Sequence, residues 1–436
     1  MELCHSKNLV KLPDLSQAPN LLYLDLEGCV KLAHLDPSIG SLEKLCFLNL
    51  ENCENLVSIP NSIFDLNSLH HLNLSGCSKL IKYQLLDNPW QTEQLKMVDT
   101  SESVQSHMTS PVCQTLTRSI RFFYSKRRAN LADSLVSSLP RFPTLVVLDI
   151  SFCNLLQIPD AIGQLQCLER LNIGGNNFIT LPHCIEELPK LRELNLEYCM
   201  HLKWLPSTLL PMGRSSYGGL YVFNCPNLSN TEGYRLTAIS WLIKVIQQVN
   251  MQCSFPGCII KVVIPGNKIP RWFNKQNTGR SMMLDPSPIL FDNNWIGIAY
   301  CVTFVVHDAP TQFLERRRKV LVGCGFHFKP HRSIHPTVPI CLKKDMITAE
   351  LDHMLLIFFS REDFIIYVSY LKEGAYDIDC IELDTTSDYP EEVVEVKSCG
   401  YRWVFKEDVE QLNPTTMYSA NSSTHKHKFL EIEDGQ

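Results

Sequence analysis

The sequence has little net charge, no long apolar run and no signal-peptide pattern. Its 436 residues carry a formal net charge of −6, which gives no electrostatic reason to expect nucleic-acid binding. The longest helix-like apolar stretch, 239–249, is too short to span a bilayer and contains Lys244. The opening MELCHSKNLV has no apolar core of signal-peptide length. With 45% hydrophobic and 20% charged residues, the composition indicates a globular chain with no membrane span.

The sequence also lacks the short motifs of several enzyme classes. It contains no H-E-x-x-H, no G-x-S-x-G, no G-x-G-x-x-G and no G-x-x-x-x-G-K-[ST]. One set has separations that zinc ligands can adopt: Cys324, His327, His331, His335 and Cys341. This set is split between a predicted strand and a proline-containing loop, so we expect no metal site. The sequence predicts no enzyme activity and no cofactor.

What the chain does contain is a repeat, L-x-x-L-x-L-x-x-C/N-x-x-L. The step is 24 residues in a first block and 23 in a second. The repeats start at these leucines: Leu21, Leu45, Leu69, Leu145, Leu168 and Leu191. This period predicts leucine-rich repeats, in which each unit supplies one short strand and a convex return segment. The inward leucines, Leu50 and Leu194 among them, are expected to form a core shared between neighbouring units.

Six of the 18 cysteines occupy one repeat position, and asparagine occupies it once. The cysteines are Cys29, Cys53, Cys77, Cys153, Cys199 and Cys225, and the asparagine is Asn176. Asparagine cannot form a disulfide, but it can donate a hydrogen bond, as a thiol can weakly. The position therefore predicts a small buried donor for a backbone carbonyl, with the thiols reduced. Reduced thiols favour a cytoplasmic or nucleocytoplasmic protein.

Alternation along each strand assigns the residues between the leucines to the concave face. The central position is always Asp or Asn, which favours a structural ladder of side chains along the sheet. The flanking positions vary, and solenoids bind on their concave face, so these are the candidate protein-binding residues. They are Tyr23, Glu27, Phe47, Glu51, His71, Arg170, Glu193 and Glu197.

A stretch without the repeat pattern separates the two blocks, and it contains the basic run RSIRFFYSKRR at 118–128. Its cations are the candidate loop contacts Arg118, Arg121, Lys126, Arg127 and Arg128. Three interpretations stay open: a solvated loop, a contact with a partner or an anionic surface, and a nuclear localisation signal.

After the repeats, the pattern changes to short β-runs with turn signals, which predicts a β-sandwich. The fold class expected is an α/β leucine-rich-repeat solenoid, or horseshoe, followed by an all-β jelly-roll/Ig-like sandwich. The predicted divisions are repeats at 1–80 (starting mid-repeat), an insertion with the basic loop at 81–143, repeats at 144–232, a capping helix at 233–252, the sandwich at 253–412 and a disordered tail at 413–436. The mid-repeat start predicts a fragment of a longer protein or a truncated gene model.

Three sequence segments resemble a known protein family: VVIPGNKIPRWFNKQNTGRSMML at 262–284, NWIGIAYCVTF, and VKSCGYRWVFKEDVEQL at 396–412. Together with repeat phrases such as LDISFCNLLQIPDAIG, they resemble the C-terminal jelly-roll/Ig-like domain (C-JID) and repeats of plant TIR-type nucleotide-binding leucine-rich-repeat receptors, the TIR-NBS-LRR (TNL) disease resistance proteins. The resemblance implies a non-catalytic recognition and regulatory role in innate immunity and signal transduction. The partners implied are a pathogen effector or host guardee protein, and the NB-ARC and TIR domains of a full-length receptor.

Two alternatives are kept. One is the NAD+ hydrolase and ADP/ATP-binding activity of full-length relatives, although the family's TIR domain and phosphate-binding motif have no counterpart in this sequence. The other is a fragment of an extracellular leucine-rich-repeat receptor. The pattern of reduced cysteines speaks against the second alternative.

Overall fold

The computed structural model describes most of the repeats and the strands that follow them. The residues described are 1–80, 142–158, 160–205, 217–228, 243, 246–247, 259–290, 292, 294–307, 319–328, 332–334, 337–341, 351–365, 381–387 and 393–411. The basic run at 118–128, most of the predicted helix at 233–252 and the tail at 413–436 lie outside them. The side chains of the Cys324–Cys341 set also lie outside, and the described residues contain no cluster that could hold a metal ion.

Seven short strands, one per repeat, form a parallel sheet in chain order. They are β1 (Tyr23–Asp25), β2 (Phe47–Asn49), β3 (His71–Asn73), β4 (Val147–Asp149), β5 (Arg170–Asn172), β6 (Glu193–Asn195) and β7 (Tyr217–Tyr221). Strands β3 and β4 pair directly, so the two repeat blocks form one solenoid across the insertion. The leucine-rich-repeat prediction is confirmed.

The return segments of the described repeats are short 3-10 helices on the convex side. They span Pro37–Ser41, Asn61–Asp65, Asp160–Gln164, His183–Glu187 and Pro226–Leu228. In the first of them, the Asp36 carboxylate caps the helix by accepting the N–H of Ser38 at 2.9 Å. Each of the first four buries one isoleucine in the core, for example Ile39 and Ile185.

The middle residue of each strand from β1 to β6 is a leucine with 2% or less of its side chain exposed: Leu24, Leu48, Leu72, Leu148, Leu171 and Leu194. A three-residue strand buries only one side chain on this face, so its stability depends on the leucines of the neighbouring units. The repeats therefore share one continuous core.

Ten further strands form two antiparallel groups. They are β8 (Ile259–Pro265), β9 (Lys275–Thr278), β10 (Ser281–Met283), β11 (Trp295–Val306), β12 (Lys319–Phe328), β13 (Arg332–Ile334), β14 (Thr337–Cys341), β15 (Asp352–Ser360), β16 (Ile381–Ser387) and β17 (Val394–Phe405). One group has the order β8-β15-β11-β17-β9; in the other, β10-β16-β12, both β13 and β14 pair with β12. Short helices α1 (Ser287–Leu290) and α2 (Lys406–Gln411) accompany these strands.

The two groups pack face to face. Every residue of β11 is buried, as expected for a strand covered on both faces. The Tyr300 hydroxyl lies 3.0 Å from the Thr385 hydroxyl across the interface. The region is thus built mainly of β-strands, as the sequence predicts. The jelly-roll/Ig-like connectivity stays a prediction.

The solenoid sheet does not end at β7, because β8 pairs with it in parallel, with Gly219 opposite Lys261 and Leu220 opposite Val262. One 12-stranded sheet therefore runs from β1 to β9. Val262 and Ile264 share the leucine core of the repeats. Ile243 and Ile246, from the region of the predicted helix, are buried in the same core.

The register determines on which side of the extended sheet the second sheet, the β10-β16-β12 group, lies. Lys261 continues the concave row of Glu193 and Gly219, so Val263, two residues further on, also points to the concave side. Val263 belongs to the core shared with Tyr300 and Leu383, and Leu383 is on β16. The second sheet therefore covers the concave side of the extended sheet, beyond the last repeat.

Candidate recognition surface

Parallel pairing in register arranges the concave side chains in three rows. The first row is Tyr23, Phe47, His71, Val147, Arg170, Glu193 and Gly219. The middle row is Asp25, Asn49, Asn73, Asp149, Asn172 and Asn195. The third row, two residues beyond it along the chain, is Glu27, Glu51, Ser75, Ser151, Gly174 and Glu197. All eight candidate residues on the repeats lie in the first or third row; their contact with a partner stays a prediction.

The middle row is structural. Each Asp or Asn accepts, through its side-chain oxygen, the backbone N–H two residues further on, at 2.8–3.1 Å. This turn ends each strand and needs only a short side-chain oxygen, which both residue types supply. The expected ladder forms directly from Asn49 to Asp25 and from Asn172 to Asp149. Asn73 and Asn195 instead donate to Glu51 and Glu197.

The cysteine position behaves as the sequence predicts. Each thiol donates to the backbone carbonyl of a core residue in the preceding repeat, such as Leu26 or Leu50, at 3.1–3.7 Å. Asn176 does the same, donating to the carbonyls of Ile150 and Ile173, while its oxygen accepts the N–H groups of Cys153 and Leu155. All cysteines whose side chains the structure describes are free thiols. Burial raises the pKa of Cys53 to about 12, so this thiol is neutral and unreactive at pH 7.

The first three residues of the first row form an aromatic stack. The ring centroids of Tyr23 and Phe47 are 4.3 Å apart with an interplanar angle of 9°, and those of Phe47 and His71 are 4.4 Å apart. Leu22, the residue before Tyr23, is 58% exposed. Burial, and secondarily the charge of Arg170, lowers the pKa of His71, so its ring is neutral at pH 7.

Beyond the stack, the first row becomes charged. Arg170 and Glu193 lie on adjacent strands, and Lys261 of β8 extends the row past Gly219. Burial lowers the pKa of Lys261, and the charge of Glu193 opposes this shift. Sequence reasoning missed Lys261, because the parallel pairing of β7 with β8 leaves no repeat signal in the sequence.

A second missed feature is a left-handed backbone position just before the cysteine position of the repeat, which Ser6 and Asn176 also occupy. The left-handed position is occupied by His5, Gly28, Asn52, Gly76, Phe152, Gly175, Tyr198 and Asn224, with φ between 53° and 76°. Gly and Asn tolerate this conformation, whereas Phe152 and Tyr198 are strained in it. The strained residues Phe152 and Tyr198 follow β4 and β6.

These strained aromatic residues connect the repeats to the C-terminal core. The Phe152 and Tyr198 ring centroids are 6.2 Å apart, Tyr198 and Phe223 are 5.7 Å apart, and Phe223 and His353 are 4.3 Å apart. His353 is on β15, and its Nε2 accepts the N–H of Asn224 at 3.0 Å. The aromatic series helps to fix the orientation of the C-terminal strands relative to the concave rows.

The Phe152 ring occupies the space beside Gly175, which gives a stability prediction. A Cβ at position 175 would lie 2.2 Å from that ring, and φ there is +63°. We expect Gly175→Ala to lower the free energy of unfolding by about 2 kcal/mol, because alanine is strained in this conformation and the ring must move. Gly266→Ala is the control, since its Cβ would meet Met354 at an ordinary 3.6 Å. Urea denaturation of both variants checks this; equal effects would contradict it.

Comparison with known proteins agrees with this architecture. Residues 264–410 match the C-JID domain family, and residues 143–200 match the leucine-rich-repeat family. The chain is 27% identical over 458 aligned positions to the disease resistance protein RPS4B of Arabidopsis thaliana, covering 94% of this chain and 36% of that protein. The chain is a homologue of plant TIR-NBS-LRR disease resistance proteins.

Two further disease resistance proteins extend the comparison. RML1B of Arabidopsis thaliana is 31% identical over 69% of this chain and 26% of its own length. The TMV resistance protein N of Nicotiana glutinosa is 24% identical over 39% of this chain and 17% of its own length. The chain thus spans about a third or less of these relatives.

Among solved structures, the leucine-rich-repeat domain of the type III effector XCV3220 (XopL) is 20% identical, with a TM-score of 0.31, over 51% of this chain and 67% of that chain. A TM-score this low carries no argument about function. Within the part of the chain that the structure describes, no helix has both the length and the apolar character needed to cross a membrane.

Proposed function

We propose that this chain is the non-catalytic recognition and regulatory region of an intracellular plant immune receptor and binds a pathogen effector or a host guardee protein. The supporting observation is the contrast between the rows. The middle row repeats one structural Asp or Asn, whereas the first row changes from aromatic to charged side chains over the same backbone. Variation on a constant scaffold is what a recognition surface requires.

The continuous sheet supports a shared binding surface. Because β8 extends the solenoid sheet and the second sheet covers the concave side beyond it, a partner in the concave groove would also meet the C-terminal region. Binding can regulate the NB-ARC and TIR domains of a full-length receptor only by favouring one of their conformations. We assign the C-terminal region to the jelly-roll/Ig-like class and the protein to the cytoplasm or nucleocytoplasm, where buried free thiols persist.

The remaining alternatives have their own tests. NAD+ hydrolysis by the purified chain would support the enzyme alternative, and bound ADP or ATP would support a nucleotide-binding one. Disulfide mapping that finds cross-linked repeat cysteines would support an extracellular receptor. The basic run at 118–128 is tested as a partner contact by neutralising Arg127 and Arg128. Unchanged partner binding would exclude that role.

A binding screen tests the proposal. The chain is screened against pathogen effectors and host proteins, and each hit is measured with purified components by calorimetry. We expect Arg170→Glu to weaken binding by at least about tenfold, because it reverses a charge in the first row. Glu43→Lys is the control, since it also reverses a charge but lies outside the three rows. Equal losses in the two variants would contradict a concave binding surface.

A further inference from the structure

The concave face divides into two chemically different halves. Over the first three strands, the aromatic–acidic patch consists of Tyr23, Phe47 and His71 with the carboxylates Asp25, Glu27 and Glu51. The rows of these repeats contain no Lys or Arg, and the first cation in the first row is Arg170 on β5. The patch therefore combines an apolar surface with net negative charge.

The stacked rings determine what can pack on them. Neighbouring rings face one another along the sheet, so the stack presents its edges, rather than its ring faces, to a partner. Tyr23 is 38% exposed and its hydroxyl donates to Asp25 at 3.1 Å. The ring edges of Tyr23 and Phe47 consist mainly of C–H groups, so an aliphatic segment packs on them better than a polar group does.

The carboxylates lie at a fixed separation from the rings. Alternate residues on one face of a strand are about 6.6 Å apart, so Asp25 lies one step of that size from Tyr23, and Glu27 lies beyond it in the turn that ends the strand. A side chain lying along the strand meets the rings first and the carboxylates next. Lys and Arg have this construction, with an aliphatic stem that packs on apolar surface and a charged end that pairs with carboxylate.

From this complementarity, we propose that the aromatic–acidic patch binds a Lys or Arg side chain of the partner protein, with the stem across the Tyr23 and Phe47 rings and the cation at Asp25, Glu27 and Glu51. The inference rests on the proposed function and specifies the partner as one that presents a basic residue. The second half of the groove, with Arg170, Glu193 and Lys261, has mixed charge and sets no such requirement.

Peptide binding to the full chain tests this proposal. The probe is a short peptide of alternating Gly and Arg, and its control is the same peptide with citrulline, which keeps the shape and removes the charge. Calorimetry or NMR titration should show at least about fivefold weaker binding for the citrulline peptide. The double variant Glu27→Gln, Glu51→Gln should lose at least about fivefold in affinity for the arginine peptide. Glu193→Gln, which also removes a concave carboxylate, should change it less than about twofold.

Each other outcome counts against the proposal. No binding of the arginine peptide, equal binding of the two peptides, or an equal loss in Glu193→Gln would overturn it. Tighter peptide binding after replacing the five cations of 118–128 by Gln would show that the chain's own basic run occupies the patch, which also overturns it. If a partner from the binding screen depends on Arg170 but not on Glu27 and Glu51, the proposed function stands and this inference fails.

Discussion

Leu194→Ala is expected to lower the free energy of unfolding by about 2–5 kcal/mol, as large-to-small changes in a packed core do. Leu194 is 1% exposed and lies between Leu171 and Leu220 in the parallel register. Its loss removes contacts on both sides of β6, and a solenoid depends on such contacts between neighbouring units. Urea denaturation followed by circular dichroism measures the change.

Glu193→Ala is the matched control for this variant. It lies on the same strand but points to the concave face, so it loses the charge beside Lys261 but no core packing, and we expect a smaller change than for Leu194→Ala. Comparable destabilisation by the two variants would mean that the inward and outward assignment of this strand is wrong.

Acidification should destabilise the chain through His353. Burial lowers the pKa of this imidazole to about 4 from its ordinary 6.5, and a backbone hydrogen bond at Leu351 and, after it, the charge of Asp352 act in the opposite direction. In the unfolded chain the imidazole takes up a proton below pH 6.5, whereas in the folded chain it does so only near pH 4. Stability is therefore fully present above pH 6.5 and decreases as the pH falls to about 4, by about 3 kcal/mol in total.

The measurement is urea denaturation at several pH values between 7 and 4, for the wild type and for His353→Gln. Carboxylates titrate in the same range, so the difference between the two proteins isolates the imidazole. Gln can still accept the Asn224 N–H but does not titrate. The wild type should lose more stability than the variant on acidification. Identical pH profiles would show that His353 is not buried in its neutral form at the junction.

The repeat architecture could be predicted from the sequence because the same leucine pattern recurs in each repeat. Leu24 recurs as Leu48 and Leu72 at a constant step, and alternation then assigns Tyr23 and Phe47 to the concave face. The exchange of Cys for Asn176 identified the shared need for a donor, which the hydrogen bonds to Ile150 and Ile173 confirm.

Features that depend on contacts between distant segments could not be predicted in this way. The pairing of β7 with β8 joins residues about 40 positions apart, and the sequence of neither strand predicts which strand it pairs with. The strained conformation of Phe152 was also missed, because the same position holds Gly in other repeats and the ring is retained by its contacts with the C-terminal core. For the candidate site, alternation predicts which residues face the concave side, but the stacking of Tyr23 on Phe47 could not be predicted from it.

Hydroxyl-radical footprinting of the chain with and without its bound partner tests the central claim most directly. Tyr23 is 38% exposed in the first concave row, and Trp204, 58% exposed, lies outside all three rows. Mass spectrometry reads the oxidation of both residues in one experiment. The recognition surface described above predicts that the partner protects Tyr23 and leaves Trp204 unchanged. Protection of Trp204 with Tyr23 still fully oxidised would contradict it.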